Sequence, residues 1–444
     1  MHENLIELLE EKKYYELKEM LADIEPADIA ISFDELSEKH RAIMFRLLPK
    51  ETAAEVFVEL ESDVQEKLIA GFSDNELKEI VDELYVDDAV DIIEEMPANV
   101  VSRILRHADR EMRRDINQML RYPPDSAGSI MTTEYVNLKK DMTVADAFTH
   151  IRRTGTDKET IYTCYVTDRN RILEGLVSVK DLLLADSSCL LEEIMETKVI
   201  YVNTLDDREY AANMFEKYDF LAVPVTDNEN RLVGIITVDD AIDVIQEEAT
   251  EDIEKMAAIT PSDKPYLKTG VWEIFLQRSP WLLLMMLSAT FTASIINHYQ
   301  SAFLAYGALT AFIPMLMGTG GNSGAQSSVT VIRSLSLGDI SFRDIFKVIF
   351  KELGVAVMCG LVLAVANFAK LMLFDRVGFD ISLIVSLALV GTVIFAKAVG
   401  CSLPMLAKKV GFDPAVMASP FITTIVDAVS LIIYFKIATM VLHI

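Results

Sequence analysis

From Ser279 to Ile332 the chain runs for 54 residues without an Asp, Glu, Lys or Arg. A helix crosses the ~30 Å hydrocarbon layer of a membrane with about 20 residues, so this run is too long for one crossing and suits two. Asn297, His298, Tyr299 and Gln300 mark the turn between them. Further apolar runs cover residues 353–374, 381–407 and 414–442, which makes five spans and puts the two ends of the chain on opposite sides of a bilayer.

Basic residues beside the spans set their direction, because short cytosolic loops carry the excess of Lys and Arg. Lys264, Lys268 and Arg278 precede the first span, Arg333, Arg343, Lys347 and Lys351 lie between the second and third, and Lys408 and Lys409 lie between the fourth and fifth. The other loops carry only Arg376. The expectation is a multi-pass protein of the cytoplasmic (inner) membrane with a cytosolic N-terminus and with His443 and Ile444 outside.

With 51% apolar residues and a mean hydropathy of +0.27, yet 25% charged residues, the chain meets two solvents. Residues 271–444 hold 11 Lys and Arg against 8 Asp and Glu, whereas residues 1–270 hold 30 against 60. The first part is therefore strongly anionic. Its field repels nucleic acid and anionic lipid and invites cations. The four cysteines, Cys164, Cys189, Cys359 and Cys401, show no C-x-x-C spacing, which fits a reducing compartment. The N-terminus, MHENLIELLEEKKYY, has no basic segment followed by an apolar run, so no cleavable signal is expected.

Residues 1–127 read as an acidic, all-α helical-repeat domain. Pro26, Pro49, Ser73 and Pro97 punctuate short amphipathic helices at near-equal intervals, the pattern of a small stack of helix pairs of the HEAT kind. Over residues 128–248 the periodicity changes. Gly175-Leu-Val-Ser-Val-Lys-Asp181 returns 59 residues later as Gly234-Ile-Ile-Thr-Val-Asp-Asp240, each copy preceded by a β-rich run and an Asn-Arg turn. The unit is strand, helix, strand, strand, helix, with an S/T-x-x-D cap where the last strand enters its helix. This α/β repeat resembles a tandem pair of cystathionine-β-synthase (CBS) domains. Such pairs resemble adenine-nucleotide sensors, which would make Asp181 and Asp240 ribose contacts and ATP a candidate ligand; both are equally read as ordinary helix caps.

Asp239, Asp240, Asp243, Glu247, Glu248, Glu251, Asp252 and Glu254 then fall on one helix running toward the first span, with residues 249–270 expected as a connecting helix. Like charges at this spacing destabilise an isolated helix. The face is either simply solvated or neutralised by bound cations.

Two features stand out in the membrane domain, residues 271–444. Pro314-Met-Leu-Met-Gly318-Thr-Gly-Gly-Asn322-Ser-Gly-Ala-Gln326 places four glycines in seven residues. They serve close helix packing or interrupt the helix and free carbonyls to line a cavity. Asp427 is the only carboxylate in the last apolar run, and a carboxylate in lipid is costly enough to seek a polar interior. Thr423, Thr424, Pro420 and Ser419 share its helical face, and Pro420 is expected to loosen the helix there. Oxygen-only ligands with few carboxylates suit Mg²⁺, which keeps most of its waters.

The order of an acidic helical domain, two CBS units, an acidic connecting helix and five spans carrying GTGGNSGAQ and DPAVMASPFITTIVDAVSLIIYF resembles the MgtE family of magnesium channels or transporters, over essentially the whole chain. The resemblance implies a homodimer with a pore on its two-fold axis, Asp427 as the selectivity carboxylate, and Gly318, Asn322, Ser419 and Thr423 beside the ion. Where the family can carry an Asn shortly before that Asp, this chain has Ser419. It also implies a valve in which cytosolic Mg²⁺ bridges Asp87 and Asp91 of the helical domain, Glu209, Asp219, Asp240 and Asp243 of the second CBS unit, and Glu248, Glu251 and Asp252 of the connecting helix, holding the pore shut. The alternative is a membrane-tethered nucleotide sensor without conduction. The histidines are scattered, with no H-E-x-x-H and no nucleophile-and-base spacing, so no enzyme is expected.

Overall fold

The structure, a computed structural model, describes residues 2–262, 264, 266–299, 307–417 and 419–443. Gln300 of the expected turn, Ile444 and the side chain of Ser419 lie outside the described residues. The chain divides into two compact units, one up to Ile245 and one from Gln246.

The first unit opens with ten helices of 8–10 residues: α1 His2–Glu10, α2 Tyr14–Leu21, α3 Pro26–Phe33, α4 Glu38–Leu47, α5 Lys50–Val58, α6 Ser62–Gly71, α7 Asp74–Val81, α8 Val86–Glu95, α9 Ala98–His107 and α10 Arg110–Met119. The punctuating residues start helices: Pro26 is the first residue of α3, and Pro49, Ser73 and Pro97 cap α5, α7 and α9. Ser73 closes a capping box with Glu76. Helices this short hold only through burial. Their apolar faces meet in one core, where Phe33, Phe45, Phe57 and Phe72 pack ring against ring.

Two β-α-β-β-α units follow. The first has β1 Tyr135–Leu138, α11 Val144–Thr154, β2 Thr160–Thr167, β3 Leu173–Ser178 and α12 Val179–Leu184; after the short α13 Leu191–Ile194 come β4 Val202–Asn203, α14 Arg208–Tyr218, β5 Ala222–Thr226, β6 Leu232–Thr237 and α15 Val238–Met256. Each unit is a three-stranded sheet whose first strand pairs parallel with the second and whose second pairs antiparallel with the third. The two sheets meet at Tyr135, Tyr165, Leu232 and Ile235. The core of the helical stack continues without a break into α14, β5 and the start of α15.

The connecting stretch is not one helix over 249–270. α15 is continuous with the second CBS unit and stops at Met256, because Ala258 adopts a left-handed backbone (φ 55°) and turns the chain.

In the second unit, among the described residues, four helices are long and apolar enough to cross a membrane: α16 Val271–His298 and the segments Phe342–Leu373, Phe379–Val410 and Ala415–Leu442. Ile313–Ser336 is a fifth long helix whose Gly, Ser, Asn and Gln content keeps it out of that set. Of the two readings of the glycines, interruption is absent: residues 318–326 are regular helix, and Gly320, Gly321 and Gly324 serve packing, whereas a Cβ on Gly318 would meet nothing within 4 Å. A Cβ on Gly320 would lie 2.8 Å from Thr392 and Val426, and one on Gly400 2.3 Å from the carbonyl oxygen of Gly324. Backbones approach this closely only where no side chain intervenes. The successive contacts Gly320 to Thr392, Gly324 to Ala396 and Ser327 to Lys397 show that the glycine-rich helix runs parallel to Phe379–Val410. The last helix, Ser419–Leu442, runs antiparallel to the glycine-rich helix and fills the groove beside it.

Candidate cation sites

The first candidate site lies within the first unit, where helix N-termini and strand starts bring carboxylates together. Asp87 and Asp88 lie in the first turn of α8, Asp239 and Asp240 in the first turn of α15, and Glu134 and Glu159 just before β1 and β2. Helix N-termini favour negative charge, yet so many carboxylates together repel. Asp87 is 7% exposed and its Oδ1 has no hydrogen-bond partner; Oε2 of Glu159 is likewise buried and unpaired. Glu134 accepts from the Thr132 hydroxyl at 2.7 Å and the Val86 amide at 3.4 Å.

The electrostatics follow from that crowding. Burial, then the neighbouring Asp240, pushes the Asp87 carboxyl well above the ordinary carboxylate range. Burial and then the charges of Asp240 and Asp239 raise Asp88 to about 7; burial and then Asp88 raise Glu159 to about 8. Asp240 reaches about 6, with burial dominant and its Thr237 hydrogen bond opposing. Such a cluster holds either protons or cations. Among the described residues no three His, Cys, Asp or Glu side chains stand where they could grip one bare ion. The donor set therefore suits an ion that keeps its own water and borrows one or two carboxylates.

The other expected residues are spread more widely. Asp91 lies one turn beyond Asp87 on the exposed side of α8, and Asp243 one turn beyond Asp240. Glu209 and Asp219 stand at opposite ends of α14, about 15 Å apart along a helix rising 1.5 Å per residue, so this chain alone does not join them. Glu248, Glu251 and Asp252 follow on α15, and Glu251 pairs with Lys255 at 2.6 Å. Asp181 closes a capping box with Ser178, and Asp240 accepts from Thr237 in the matching place. Asp88, Glu134 and Glu159 had no signal in spacing, since only the fold gathers them.

The second candidate site surrounds Asp427. The expected local loosening of the helix at Pro420 is absent: Pro420 is the second residue of Ser419–Leu442, which follows a 3₁₀ turn at Ala415–Met417, so it starts the helix rather than loosening it from within. Asp427 therefore stands eight residues into its helix, about 12 Å along it. Its carboxylate is partly exposed, and no described side chain donates to it. Thr423 and Thr424 both donate to the Pro420 carbonyl at 3.0 Å, and Thr424 also meets Ser288 of α16 at 3.2 Å. Gly321 packs on Thr423, while Gly318 and Asn322 occupy the exposed side of the glycine-rich helix. Beside this lies a charged pair that hydropathy concealed. Lys397, 5% exposed, donates to Ser327 at 3.3 Å and lies 3.7 Å from Glu352, which accepts from the same serine. A single Lys in the run 381–407 was its only signal.

Comparison with known proteins covers the same ground. The family model for the divalent cation transporter MgtE matches residues 313–437, that for the MgtE intracellular N domain matches 24–125, and CBS domain models match 127–188 and 191–247. The magnesium transporter MgtE of Thermus thermophilus is 38% identical over 99% of this chain and 98% of its own length. That of Bacillus subtilis is 33% identical over 99% and 97%. The crystal structure of the cytosolic domain of the Mg²⁺ channel MgtE in complex with ATP superposes with a TM-score of 0.53 and 39% identity, over 55% of this chain and 100% of that one. The soluble part of a magnesium transporter gives 0.52 and 33%, over 56% and 98%.

Proposed function

This chain belongs to the MgtE family of magnesium transporters, and from that premise we propose that it carries Mg²⁺ inward across the cytoplasmic membrane and that cytosolic Mg²⁺ closes it. Five spans cross the bilayer, the glycine-rich helix being the second. The parallel course of that helix and Phe379–Val410, separated by a single returning helix, supports this topology. With the first unit cytosolic, the chain then ends outside.

The observation that carries the reading is Asp427: a carboxylate on an apolar helix, partly exposed and given no donor by any described side chain. Such a group belongs to a wet path. In a homodimer, two copies would face one hydrated ion across the two-fold axis, accepting hydrogen bonds from its water shell, with Thr423, Asn322 and the bare backbone at Gly318 alongside.

Gating follows from the crowded carboxylates. Cations that neutralise Asp87, Asp240 and their neighbours favour the state in which these groups stay together, and α15 belongs to both units. Depletion leaves the charges repelling and shifts the population away from that state. An adenine nucleotide, of the kind held by the related cytosolic domain, fits the CBS pair, where one oxygen of Asp181 is taken by its cap and the other is left for a ribose hydroxyl.

Mg²⁺ uptake into proteoliposomes tests the pore assignment. Asp427→Ala is expected to lower uptake roughly tenfold or more, and uptake of wild-type size by that variant overturns it. Protease protection of residues 249–269 by millimolar Mg²⁺ tests the valve; cleavage indifferent to the ion sinks it.

A further inference from the structure

The buried pair of Lys397 and Glu352 has no task in the transport reading above, and its surroundings suggest one. Lys397 lies mid-helix in Phe379–Val410, Glu352 is in the second turn of Ile345–Leu373, and Ser327 belongs to the glycine-rich helix, so the triad ties three helices together. The side chains of Lys397 and Glu352 are 6% and 15% exposed. Buried charges in an apolar bundle persist when paired and hydrogen-bonded, and they specify one register where apolar side chains allow several.

The register held here is that of the glycine-rich helix. One turn from Ser327, Gly324 touches the backbone of Gly400 on one side and Ile422 on the other, at 2.6 Å from a would-be Cβ; Gly320 meets Val426 in the same way. Ile422 and Val426 are the immediate neighbours of Thr423 and Asp427. Contacts this smooth, glycine backbone against methyl groups, resist compression but offer little against sliding or rotation. A slip of one residue turns a helix by about 100°, enough to swing Asn322 away from the side it shares with Gly318. Two polar ties join the glycine-rich helix to its parallel neighbour among the described residues: Ser327 to Lys397 beside the glycines, and, about two turns on, the Leu335 carbonyl to Lys408 at 2.7 Å.

We propose that Lys397, Ser327 and Glu352 form a positioning triad for Mg²⁺ permeation, which locks the rotation and depth of the glycine-rich helix against the Asp427 helix without touching the ion. The inference rests on the transport reading. Its residues act through Asn322 and Asp427, so their loss changes which ion passes as well as how fast.

The test uses the full-length protein in proteoliposomes, with Mg²⁺ and Ca²⁺ uptake measured per folded protein. Lys397→Met and Glu352→Gln are expected to lower the ratio of Mg²⁺ to Ca²⁺ uptake about threefold or more, since each leaves the partner charge buried and free to pull the helices apart. Should either single variant fold poorly, the double variant Lys397→Met with Glu352→Met restores an apolar interior and keeps the measurement available; it is expected to fold with the altered ratio. The exchange Lys397→Glu with Glu352→Lys is expected to recover part of it. A merely structural role lowers both uptakes in proportion and leaves the ratio alone, and that result overturns the proposal, as does a double variant of wild-type selectivity. Wild-type protein that passes no Mg²⁺ sinks the transport reading instead, and this inference with it.

Discussion

The Lys255 ammonium lies 2.6 Å from a carboxylate oxygen of Asp413 and the same distance from one of Glu251. Lys255 is in the last turn of α15, where a cation also suits the helix dipole, and Asp413 stands just before Pro414 in the segment that leads to the Asp427 helix. Burial disfavours the charged amine, but the hydrogen bonds to Asp413 and Glu251 outweigh it and raise its pKa. Met256, the next residue, packs against Ile332 and Ala415. The acidic helix thus ends in a basic anchor on the segment entering the last helix.

Lys255→Met removes the cation and leaves Glu251 and Asp413 facing one another. Uptake into proteoliposomes loaded with high internal Mg²⁺ is expected to rise roughly threefold, because the end of the acidic helix loses its restraint. The exchange Lys255→Asp with Asp413→Lys is expected to return it toward wild type. Unchanged uptake in Lys255→Met rules out a restraining role.

The acidic cluster sets a pH dependence. Asp240 at about 6, Asp88 at about 7 and Glu159 at about 8 stand above ordinary carboxylates, so the folded, metal-free protein holds protons that the unfolded chain has released. Stability contributed by those protons is present at low pH and lost as pH rises through 6 to 8. In a chelator the thermal midpoint is expected to be lower at pH 8 than at pH 6, and Mg²⁺ is expected to flatten the difference by replacing the protons. Asp87→Asn removes an unpaired buried carboxylate, so it should raise the metal-free midpoint at pH 8 and weaken the response to Mg²⁺. A metal-free midpoint that climbs with pH contradicts this account.

Gly400→Ala places a methyl 2.3 Å from the Gly324 carbonyl oxygen. Backbone against backbone cannot yield by a rotamer change, and overpacking of this kind costs about 1–3 kcal/mol. The thermal midpoint of the protein in detergent is expected to fall. Gly354→Ala, where a Cβ meets nothing within 4 Å, is the matched control and is expected to leave it unchanged. Equal midpoints for the two variants would show that the helices part freely.

Much of this was legible along the chain. The repeat at Gly175 and Gly234 announced two β-α-β-β-α units, Ser73 and the prolines announced helix starts, and Asp427 stood out as the only carboxylate in an apolar run. Other readings failed for a physical reason. Glycines and a proline in a membrane run signal either interruption or close packing, and composition cannot choose between them; the partner backbone at Gly400 and the position of Pro420 at a helix start decide it. Lys397 carries little signal in the sequence, because one charge hardly alters the hydropathy of a 27-residue run and its partner Glu352 sits 45 residues away on another helix.

What the sequence determined by itself was therefore local: the length and order of the apolar segments, the repeated unit, the helix caps, and a strong excess of carboxylate ahead of the first apolar helix. These follow from periodicity and from the cost of burying charge, which act on neighbouring residues. Only the tertiary structure decided which faces meet: Asp87 with Asp240, Gly324 with Gly400, Ser327 with Lys397 and Glu352. Those pairings join distant positions, and they arise because close packing admits one register of the whole assembly while each segment alone would tolerate many.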